Sequence, residues 1–198
     1  MGICMRMDEM SQRVKTIICL EGSHGCGKTA LLQEIASRGG NVIDEGFLDM
    51  PQLGLGPQTH TMEMVWVAKW VEKVLALPPG VYFADRGLYS AVLYAMNGRD
   101  MQLSLLHIHD EIAHVCNVIN VYIRVDEDTL WRRITERLKH EPFREKYNEH
   151  KREQMVRARA FYEYNHALFK HTVDNGDGEW SQCIGELCKI GCLDHEAP

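Results

Sequence analysis

The sequence lacks a cysteine framework of the kind that stabilises small secreted domains. Its 7 cysteines are odd in number, and no two of them form a Cys-x-x-Cys pair. Cys183, Cys188 and Cys192 follow one another at intervals of 5 and 4 residues, which is not the spacing of zinc ligands. We therefore expect reduced thiols, no structural zinc site and a cytoplasmic location.

Long apolar runs and an overall excess of basic residues are also lacking. No apolar run approaches the length that crosses a membrane, and residues 1–12 contain Arg6, Asp8 and Glu9 but no apolar core of a signal peptide. The formal net charge is -6, whereas a general nucleic-acid-binding protein presents a basic face. We therefore expect neither a membrane nor a nucleic acid as partner.

Short apolar segments alternate with segments of helical periodicity along nearly the whole chain. This alternation predicts an α/β fold, with a parallel sheet of about five strands and helices on both of its faces. We expect a single domain over residues 13–190, with tails at residues 1–12 and 191–198. The predicted strands are Val14–Leu20, Asn41–Asp44, Val81–Ala84, Val118–Val125 and Thr172–Val173. The predicted helices are Lys28–Arg38, Thr59–Leu77, Leu88–Met96, Leu103–Val115, Asp126–Leu138, Asn148–Lys170 and Glu179–Ile190.

A glycine-rich segment separates the first predicted strand from the first predicted helix. The glycines of such a loop let successive backbone N–H groups turn toward phosphate oxygens, and the positive end of the following helix adds to them. In this pattern Lys28 binds the β- and γ-phosphates of ATP, and the Thr29 hydroxyl binds Mg²⁺. The simpler alternative is a turn without a ligand, and we expect Cys26 to be a small filler and His24 to face solvent without a role. The residues that match G-x-x-x-x-G-K-S/T are Gly22, Ser23, His24, Gly25, Cys26, Gly27, Lys28 and Thr29.

Acidic residues end two further predicted strands, at the edge where parallel sheets bind ligands. Asp44 and Glu45 end the second strand, and Asp85 and Arg86 follow the third. An acid at this place can hold Mg²⁺ or accept a proton, and an arginine beside it can neutralise phosphate charge. Alternatively these acids are helix caps or turn residues. The Asp44–Glu45 pair is also similar to the Walker B motif of motor ATPases, although the chain is small for a motor.

Half of the basic residues are concentrated in one stretch. Of 22 Lys and Arg residues, 11 lie within residues 124–159. Arg133 and Arg137 are four residues apart and share a helix face, with Lys139 just beyond them. We interpret residues 132–146 as a short helical lid, because phosphoryl transfer requires cations that close over the phosphates and exclude water. The alternative is a solvated helix whose arginines pair with local glutamates.

Together these motifs resemble the deoxynucleoside kinase family within the thymidylate-kinase-like group of P-loop kinases. Residues 21–29 (EGSHGCGKT) are similar to that group's E-G-x-x-G-x-G-K-S/T. Residues 85–90 (DRGLYS) are similar to the family's E-R-S-I/V-x-S, and residues 133–139 (RITERLK) to its lid motif R-I-x-x-R-x-R. The matches run in the family's order from about Val14 to Arg144. The resemblance implies a three-layer P-loop kinase fold and family members that commonly form homodimers, so a homodimer is compatible with it.

For the phosphate side, the resemblance assigns ATP and Mg²⁺ to the loop and the lid. It implies that Lys28 and Thr29 hold the phosphates and the metal. The lid residues Arg133, Arg137 and Lys139 would close over the phosphates.

For the acceptor side, the resemblance assigns roles to the two strand ends. Glu45 has the position of the carboxylate that takes a proton from the sugar 5′-hydroxyl. Arg86 would bind the acceptor, and Asp85 replaces a glutamate that helps to hold Mg²⁺. The family's base-reading glutamine is absent: near its position Glu63 is either an acceptor for a base amine or a solvated helix residue. The tryptophan expected after the catalytic glutamate is also missing, with Phe47 the nearest aromatic residue.

Three functional hypotheses follow. The leading one is an ATP-dependent kinase that phosphorylates the 5′-hydroxyl of a nucleoside or deoxynucleoside, which needs Glu45 because a sugar hydroxyl keeps its proton at neutral pH. The second is a thymidylate-kinase-like nucleoside monophosphate kinase, which needs a second cation site such as Arg86 instead of a base. The third, from a different class, is a regulatory P-loop module that binds nucleotide without an acceptor.

Overall fold

The computed structural model describes residues 15–44, 50–51, 53–56, 58–95 and 98–192, in which strands and helices alternate as predicted. The strands are β1 (Lys15–Glu21), β2 (Asn41–Ile43), β3 (Val81–Asp85), β4 (Cys116–Arg124) and β5 (His171–Asp174). The helices are α1 (Lys28–Ser37), α2 (His60–Ala76), α3 (Tyr89–Tyr94), α4 (Gly98–Ala113), α5 (Glu127–His140), α6 (Arg152–Tyr164) and α7 (Trp180–Ile190). The 3₁₀ helices Pro142–Tyr147 and His166–Leu168 precede and follow α6.

The strands form one parallel sheet in the order β2-β3-β1-β4-β5. In the β4–β5 pair, Val121 lies opposite His171 and Arg124 opposite Asp174. The central strand β1 is apolar along most of its length, and Ile18 and its neighbours are fully buried. Strands that are covered on both faces read as continuous apolar runs, which is why this strand is recognisable in the sequence. The predicted α/β class is confirmed.

Within the described residues the chain divides into two compact units. The first contains residues 15–19 and the described residues between 43 and 119. In it the helices α2, α3 and α4 pack against one another. Trp66, Phe83 and Leu105 are among its almost completely buried side chains.

The second unit contains residues 20–42 and 120–192. Here α5 packs against α6, and α7 packs against both α1 and β5. An aromatic cluster lies in its interior: the rings of Tyr122 and Tyr162 are stacked with centroids 5.2 Å apart, and Phe169 packs against both. Burial, reinforced by Glu163, raises the pKa of Tyr122, so its hydroxyl stays protonated and donates to Glu163 Oε1 at 3.3 Å.

No helix in the described part of the chain has the length and apolar character needed to cross a membrane. The predicted tail at residues 1–12, and residues 193–198 of the predicted tail 191–198, lie outside the described residues. The prediction of a single domain over residues 13–190 stays a prediction.

The predicted helix Asn148–Lys170 is wrong in its extent. Residues 148–150 form a turn, and α6 begins only at Arg152. Asn148 has a φ of 61°, in the left-handed region that asparagine tolerates, and it ends the preceding 3₁₀ helix. At the other end of α6, Asn165 Nδ2 donates to the Phe161 carbonyl at 2.8 Å, a local bond that competes with continued helix. Apolar periodicity does not reveal either interruption.

Helix α5, which contains part of the predicted lid, begins where Asp126 caps it. Asp126 Oδ1 accepts a hydrogen bond from the backbone N–H of Thr129 at 2.9 Å. This bond lowers the pKa of Asp126 below its ordinary value. Acidic residues in the first turn and basic residues in the last turn complement the helix dipole. The cap and the charge pattern together define α5 without much apolar burial.

Removal of the Asp126 side chain tests whether this cap stabilises the N-terminus of α5. Asp126→Ala is expected to lower the free energy of unfolding at pH 7 by about 1 kcal/mol, whereas Asp126→Asn, which keeps an oxygen acceptor, is expected to cost less than about 0.5 kcal/mol. Because the folded-state pKa lies below the ordinary value of 3.8, the contribution of the carboxylate is complete above that pH and disappears as the pH falls through the folded-state pKa. Urea unfolding of the three proteins measures both effects. Equal losses for Ala and Asn would contradict the cap.

Candidate functional site

The loop between β1 and α1 brings its backbone into close contact with other parts of the second unit. Gly25 and Gly27 have φ angles of 81° and 94°, in the left-handed region that favours glycine. A Cβ atom on Gly27 would lie 2.7 Å from Asn175 Nδ2, and one on Gly25 would lie 2.8 Å from Ile134 Cγ1. Backbone conformation and close approach therefore both require glycine at these positions.

Lys28 is folded back over this loop. The residue is buried, and its Nζ donates to the carbonyl oxygens of Gly22 at 2.9 Å and Ser23 at 3.2 Å. Cys26 Sγ lies 3.5 Å from the same nitrogen, and Cys26 is only 1% exposed, as expected of a small filler. The loop backbone thus holds the ammonium group that is predicted to bind phosphate.

The N-terminus of α1 is suited to an anion. Gly27 is its N-cap residue and has no side chain to cap the helix, and the first turn contains no acidic residue. The positive end of the helix dipole and the N–H groups of the first turn are therefore not neutralised by a local carboxylate. Thr29 is exposed in this turn. These features fit a phosphate group at the loop and a cation at the Thr29 hydroxyl.

Two buried side chains form hydrogen bonds to the loop and to the residue that precedes it. Asn175 Nδ2 donates to the carbonyl oxygen of Cys26 at 2.8 Å, and Tyr162 donates its hydroxyl to Glu21 Oε2 at 3.1 Å. Glu21, Tyr162 and Asn175 are each at most 2% exposed. Sequence reasoning missed the supporting role of Tyr162 and Asn175. The one available signal was that Asn175 directly follows β5, at a strand end.

The predicted lid arginines have specific partners in the second unit. Arg133 donates from Nη1 to the Asn175 carbonyl oxygen at 2.9 Å, and its Nη2 lies 3.3 Å from Asp177 Oδ1. Arg137 donates to Glu149. Lys139 is 66% exposed and pairs with Glu136 one turn earlier. The structure thus brings Arg133 close to the residue that supports the loop, whereas Lys139 contacts a local glutamate.

Glu149 is a buried acid that the sequence did not single out, because it lies in a stretch crowded with charged residues. It contacts Arg137, Arg144 and the loop residue His24, whose Nδ1 lies 3.2 Å from Glu149 Oε1. The expectation that His24 faces solvent holds only in part: its side chain is 29% exposed and also contacts Glu149. Arg144 also bonds to Glu141, and this hydrogen bond holds the pKa of Glu141 below its ordinary value.

The first unit contains a second candidate group at the end of β3. Asp85 and Arg86 are buried, at 7% and 5% exposure. Arg86 has a φ of 73°, which is uncommon for a residue with a side chain and strained by about 1–3 kcal/mol. Its carbonyl oxygen accepts from Trp70 Nε1 at 3.3 Å, and its guanidinium lies 4.7 Å from the centre of the Tyr94 ring. Buried charge and backbone strain in one dipeptide are typical of functional sites.

These observations bear on the alternative that the strand-end acids are helix caps. The N-cap residue of α3 is Leu88, and Asp85 belongs to β3 itself, so Asp85 is not the N-cap of that helix. Asp44 follows β2 as an exposed residue, and its carbonyl oxygen lies 3.4 Å from Lys73 Nζ. The predicted general base Glu45 lies outside the described residues, so its role stays a prediction.

Glu63 lies in the first turn of α2 and is 3% exposed. The interpretation as a solvated helix residue is therefore wrong. A buried carboxylate on a helix must be held by donors, from the protein or from a ligand. The alternative interpretation, an acceptor for a base amine, stays open.

No protein-family model matches the sequence, and no curated protein matches it. Several solved structures are similar in fold. Deoxyadenosine kinase from M. mycoides with bound dCTP is 16% identical with a TM-score of 0.56, and the match covers 89% of this chain and 98% of that one. Shikimate kinase from Bacteroides thetaiotaomicron is 15% identical with a TM-score of 0.55, covering 88% and 97%. The YorR protein from Bacillus subtilis, in complex with phosphorylated GDP, is 16% identical with a TM-score of 0.56, covering 92% and 99%.

At these identities the similarity concerns the fold. It shows that the parallel sheet and its helices have the arrangement of P-loop kinase structures. Each match spans nearly the full length of the similar chain. The expected P-loop kinase fold is confirmed.

The close approach of Gly27 to Asn175 can be tested with Gly39 as a matched control. Gly39 has a φ of 86°, but nothing lies within 4 Å of the position that a Cβ atom would take there, whereas a Cβ atom on Gly27 meets Asn175. Gly39→Ala is expected to cost only the strain of the left-handed conformation, about 1 kcal/mol in the free energy of unfolding. Gly27→Ala is expected to cost about 2–3 kcal/mol, because Asn175 must also move. Urea unfolding measures both losses, and equal values would contradict the packing described here.

Proposed function

We propose that this protein is an ATP-dependent phosphotransferase that transfers the γ-phosphoryl group of ATP to the 5′-hydroxyl of a nucleoside. The observation that carries the proposal is the loop of residues 22–29, with its left-handed glycines, its uncapped helix N-terminus and its buried lysine. The similarity in fold to proteins named as deoxyadenosine kinase and shikimate kinase supports the kinase class.

On the nucleotide side, Lys28 and Thr29 are the proposed ligands. When bound, ATP supplies the phosphoryl group and Mg²⁺ neutralises charge on the phosphate oxygens. Lys28 would exchange the carbonyl oxygens of Gly22 and Ser23 for phosphate oxygens, which are charged and therefore stronger acceptors. No group of three or more His, Cys, Asp or Glu among the described residues could hold a metal. The proposed ligands of the ion are the phosphates, water and the Thr29 hydroxyl, with Asp85 acting through water, in keeping with the coordination that Mg²⁺ usually adopts.

On the lid side, Arg133 and Arg137 are the proposed phosphate contacts. Their side chains are 26% and 28% exposed, so neither is completely buried. Their positive charges would stabilise the charge on the oxygens of the transferring group. Lys139, at 66% exposure, would have to leave Glu136 to join them.

On the acceptor side, the proposal needs a base and a cation. A sugar hydroxyl attacks phosphorus efficiently only if its proton is taken up, and Glu45 is the proposed acceptor of that proton. Arg86 is the proposed contact of the acceptor end, and its buried guanidinium makes it a strong donor to an oxygen ligand. Glu63 is the proposed contact of the base. An ionised carboxylate accepts hydrogen bonds but does not donate them, so it favours bases with an amino group.

A nucleoside monophosphate kinase is the second candidate. The buried Arg86 favours it, because a monophosphate acceptor requires a cation at the acceptor end, and the YorR protein with phosphorylated GDP has a similar fold. A regulatory module that binds nucleotide without an acceptor is the third.

A panel of acceptors separates these candidates. ADP release from ATP is measured with the four deoxynucleosides, the four ribonucleosides and their 5′-monophosphates. We expect turnover with nucleosides that carry a base amine and none with the monophosphates, and we expect Lys28→Met to lose at least about a hundredfold in turnover. Turnover with monophosphates alone would move the assignment to a nucleotide kinase. ATP binding without turnover across the panel would favour the regulatory module.

The role of Glu45 can be tested against its neighbour. Glu45→Gln is expected to lower kcat for the nucleoside by about 10²–10⁴-fold, because no base remains to take the hydroxyl proton, with little change in ATP affinity. Asp44→Asn removes the same charge from the adjacent residue and is expected to retain most of the activity. Steady-state kinetics of both variants make the comparison, and full activity of Glu45→Gln would rule out the nucleoside hypothesis.

A further inference from the structure

Glu149 is a buried carboxylate in the segment that follows the lid helix. It belongs to the turn at residues 148–150, between the 3₁₀ helix Pro142–Tyr147 and α6, and its side chain is 1% exposed. A carboxylate so completely removed from water is strongly destabilised unless cations and N–H donors surround it.

Three side chains from different parts of the second unit surround this carboxylate. Arg137 donates from Nη2 to Glu149 Oε2, and Arg144 donates from Nη1 to Oε1 at 3.3 Å. His24 Nδ1 lies 3.2 Å from Oε1. Arg137 belongs to the lid helix α5, Arg144 to the 3₁₀ helix, and His24 to the phosphate-binding loop. Glu149 therefore connects the lid with the loop.

Stability alone does not account for a buried group of this kind. Replacing a buried ion pair by apolar side chains of similar volume is often neutral or stabilising. The best attested use of such a pair is to impose one arrangement on its partners. Here the partners are long arginine side chains with several donors and many rotamers, and a single buried carboxylate selects among those rotamers.

The geometry of Arg137 shows which arrangement is selected. Its Nη2 is bonded to Glu149, whereas its buried Nε has no hydrogen-bond partner among the described residues. A guanidinium is a rigid planar fork with five N–H donors, so a hydrogen bond at one nitrogen restricts the orientation of the plane and leaves the other donors to bind a second group. An anion such as phosphate is the ligand that these donors bind best.

We propose that Glu149 is a positioning residue, which anchors Arg137 in the orientation in which its remaining donors bind the terminal phosphate of the nucleotide. The inference rests on the proposed function, because it requires a nucleotide phosphate at the loop. Glu149 does not itself contact the nucleotide. Loss of its charge lets the Arg137 guanidinium turn, so recognition of the terminal phosphate suffers while binding of the rest of the nucleotide does not.

The test compares affinities for ATP and ADP in the presence of Mg²⁺, measured by isothermal titration calorimetry without an acceptor. In Glu149→Gln the preference for ATP over ADP is expected to fall about tenfold, as for the loss of one charge-assisted hydrogen bond. Arg137→Met is expected to lower the preference by a similar factor. The double variant should show the same fall in the preference for ATP over ADP as Arg137→Met alone, because Glu149 acts through Arg137.

A matched control variant tests whether the effect is specific to Glu149, and a second variant is available if Glu149→Gln does not fold. Glu153→Gln removes the same charge from an exposed position in the first turn of α6 and is expected to leave the preference unchanged. Thermal unfolding establishes that each variant is folded. If Glu149→Gln does not fold, Glu149→Asp replaces it, since this variant keeps the charge but withdraws the carboxylate by one methylene and is expected to lower the same preference.

Several outcomes overturn the inference while the proposed function stands. These are a wild type that binds ATP no better than ADP, an unchanged preference in Glu149→Gln, and additive losses in the double variant. Tighter ATP binding by Glu149→Gln also overturns it, because the carboxylate would then compete with the phosphate for Arg137. A wild type that binds neither nucleotide overturns the proposed function and the inference together.

Discussion

The close approach between the glycine-rich loop of residues 22–29 and Asn175 is the contact on which the candidate site in the second unit depends. Asn175 Nδ2 reaches the Cys26 carbonyl oxygen at 2.8 Å only because residue 27 has no side chain. The carbonyl oxygen of the same asparagine accepts from Arg133 at 2.9 Å. Asn175, which directly follows β5, therefore contacts both the loop and helix α5. Glycines give a loop its shape but no rigidity, so the rigidity must come from such a support.

What the sequence predicted well was local. The glycine pattern, the lysine that follows it and the buried strand before it lie within a few residues of one another, and each leaves a mark in composition or periodicity. The parallel sheet was predictable for the same reason, because strands covered on both faces read as short apolar runs. Asp85 and Arg86 were identifiable by their place at a strand end, although their burial was not.

What the sequence did not predict was long-range or depended on single side chains. Asn175 is 149 residues from Cys26, and Tyr162 is 141 residues from Glu21, so no window along the chain reveals either contact. Glu149 resembles the other acids around it, and only its burial distinguishes it. The break between residues 148 and 151 depends on one left-handed asparagine, which periodicity passes over. Burial also excludes the interpretation of Glu63 as a solvated helix residue.

The position of Lys28 has a consequence for selectivity among anions. The ammonium group of Lys28 is neutralised in part by two carbonyl dipoles of its own loop. A small dianion such as sulfate or inorganic phosphate must displace these internal contacts while offering few others in return. A polyphosphate chain can displace them and still reach the helix end and the lid. If the loop binds phosphate as proposed, these internal contacts are lost on binding, and a ligand with several phosphate groups offsets their loss better than a bare inorganic ion does.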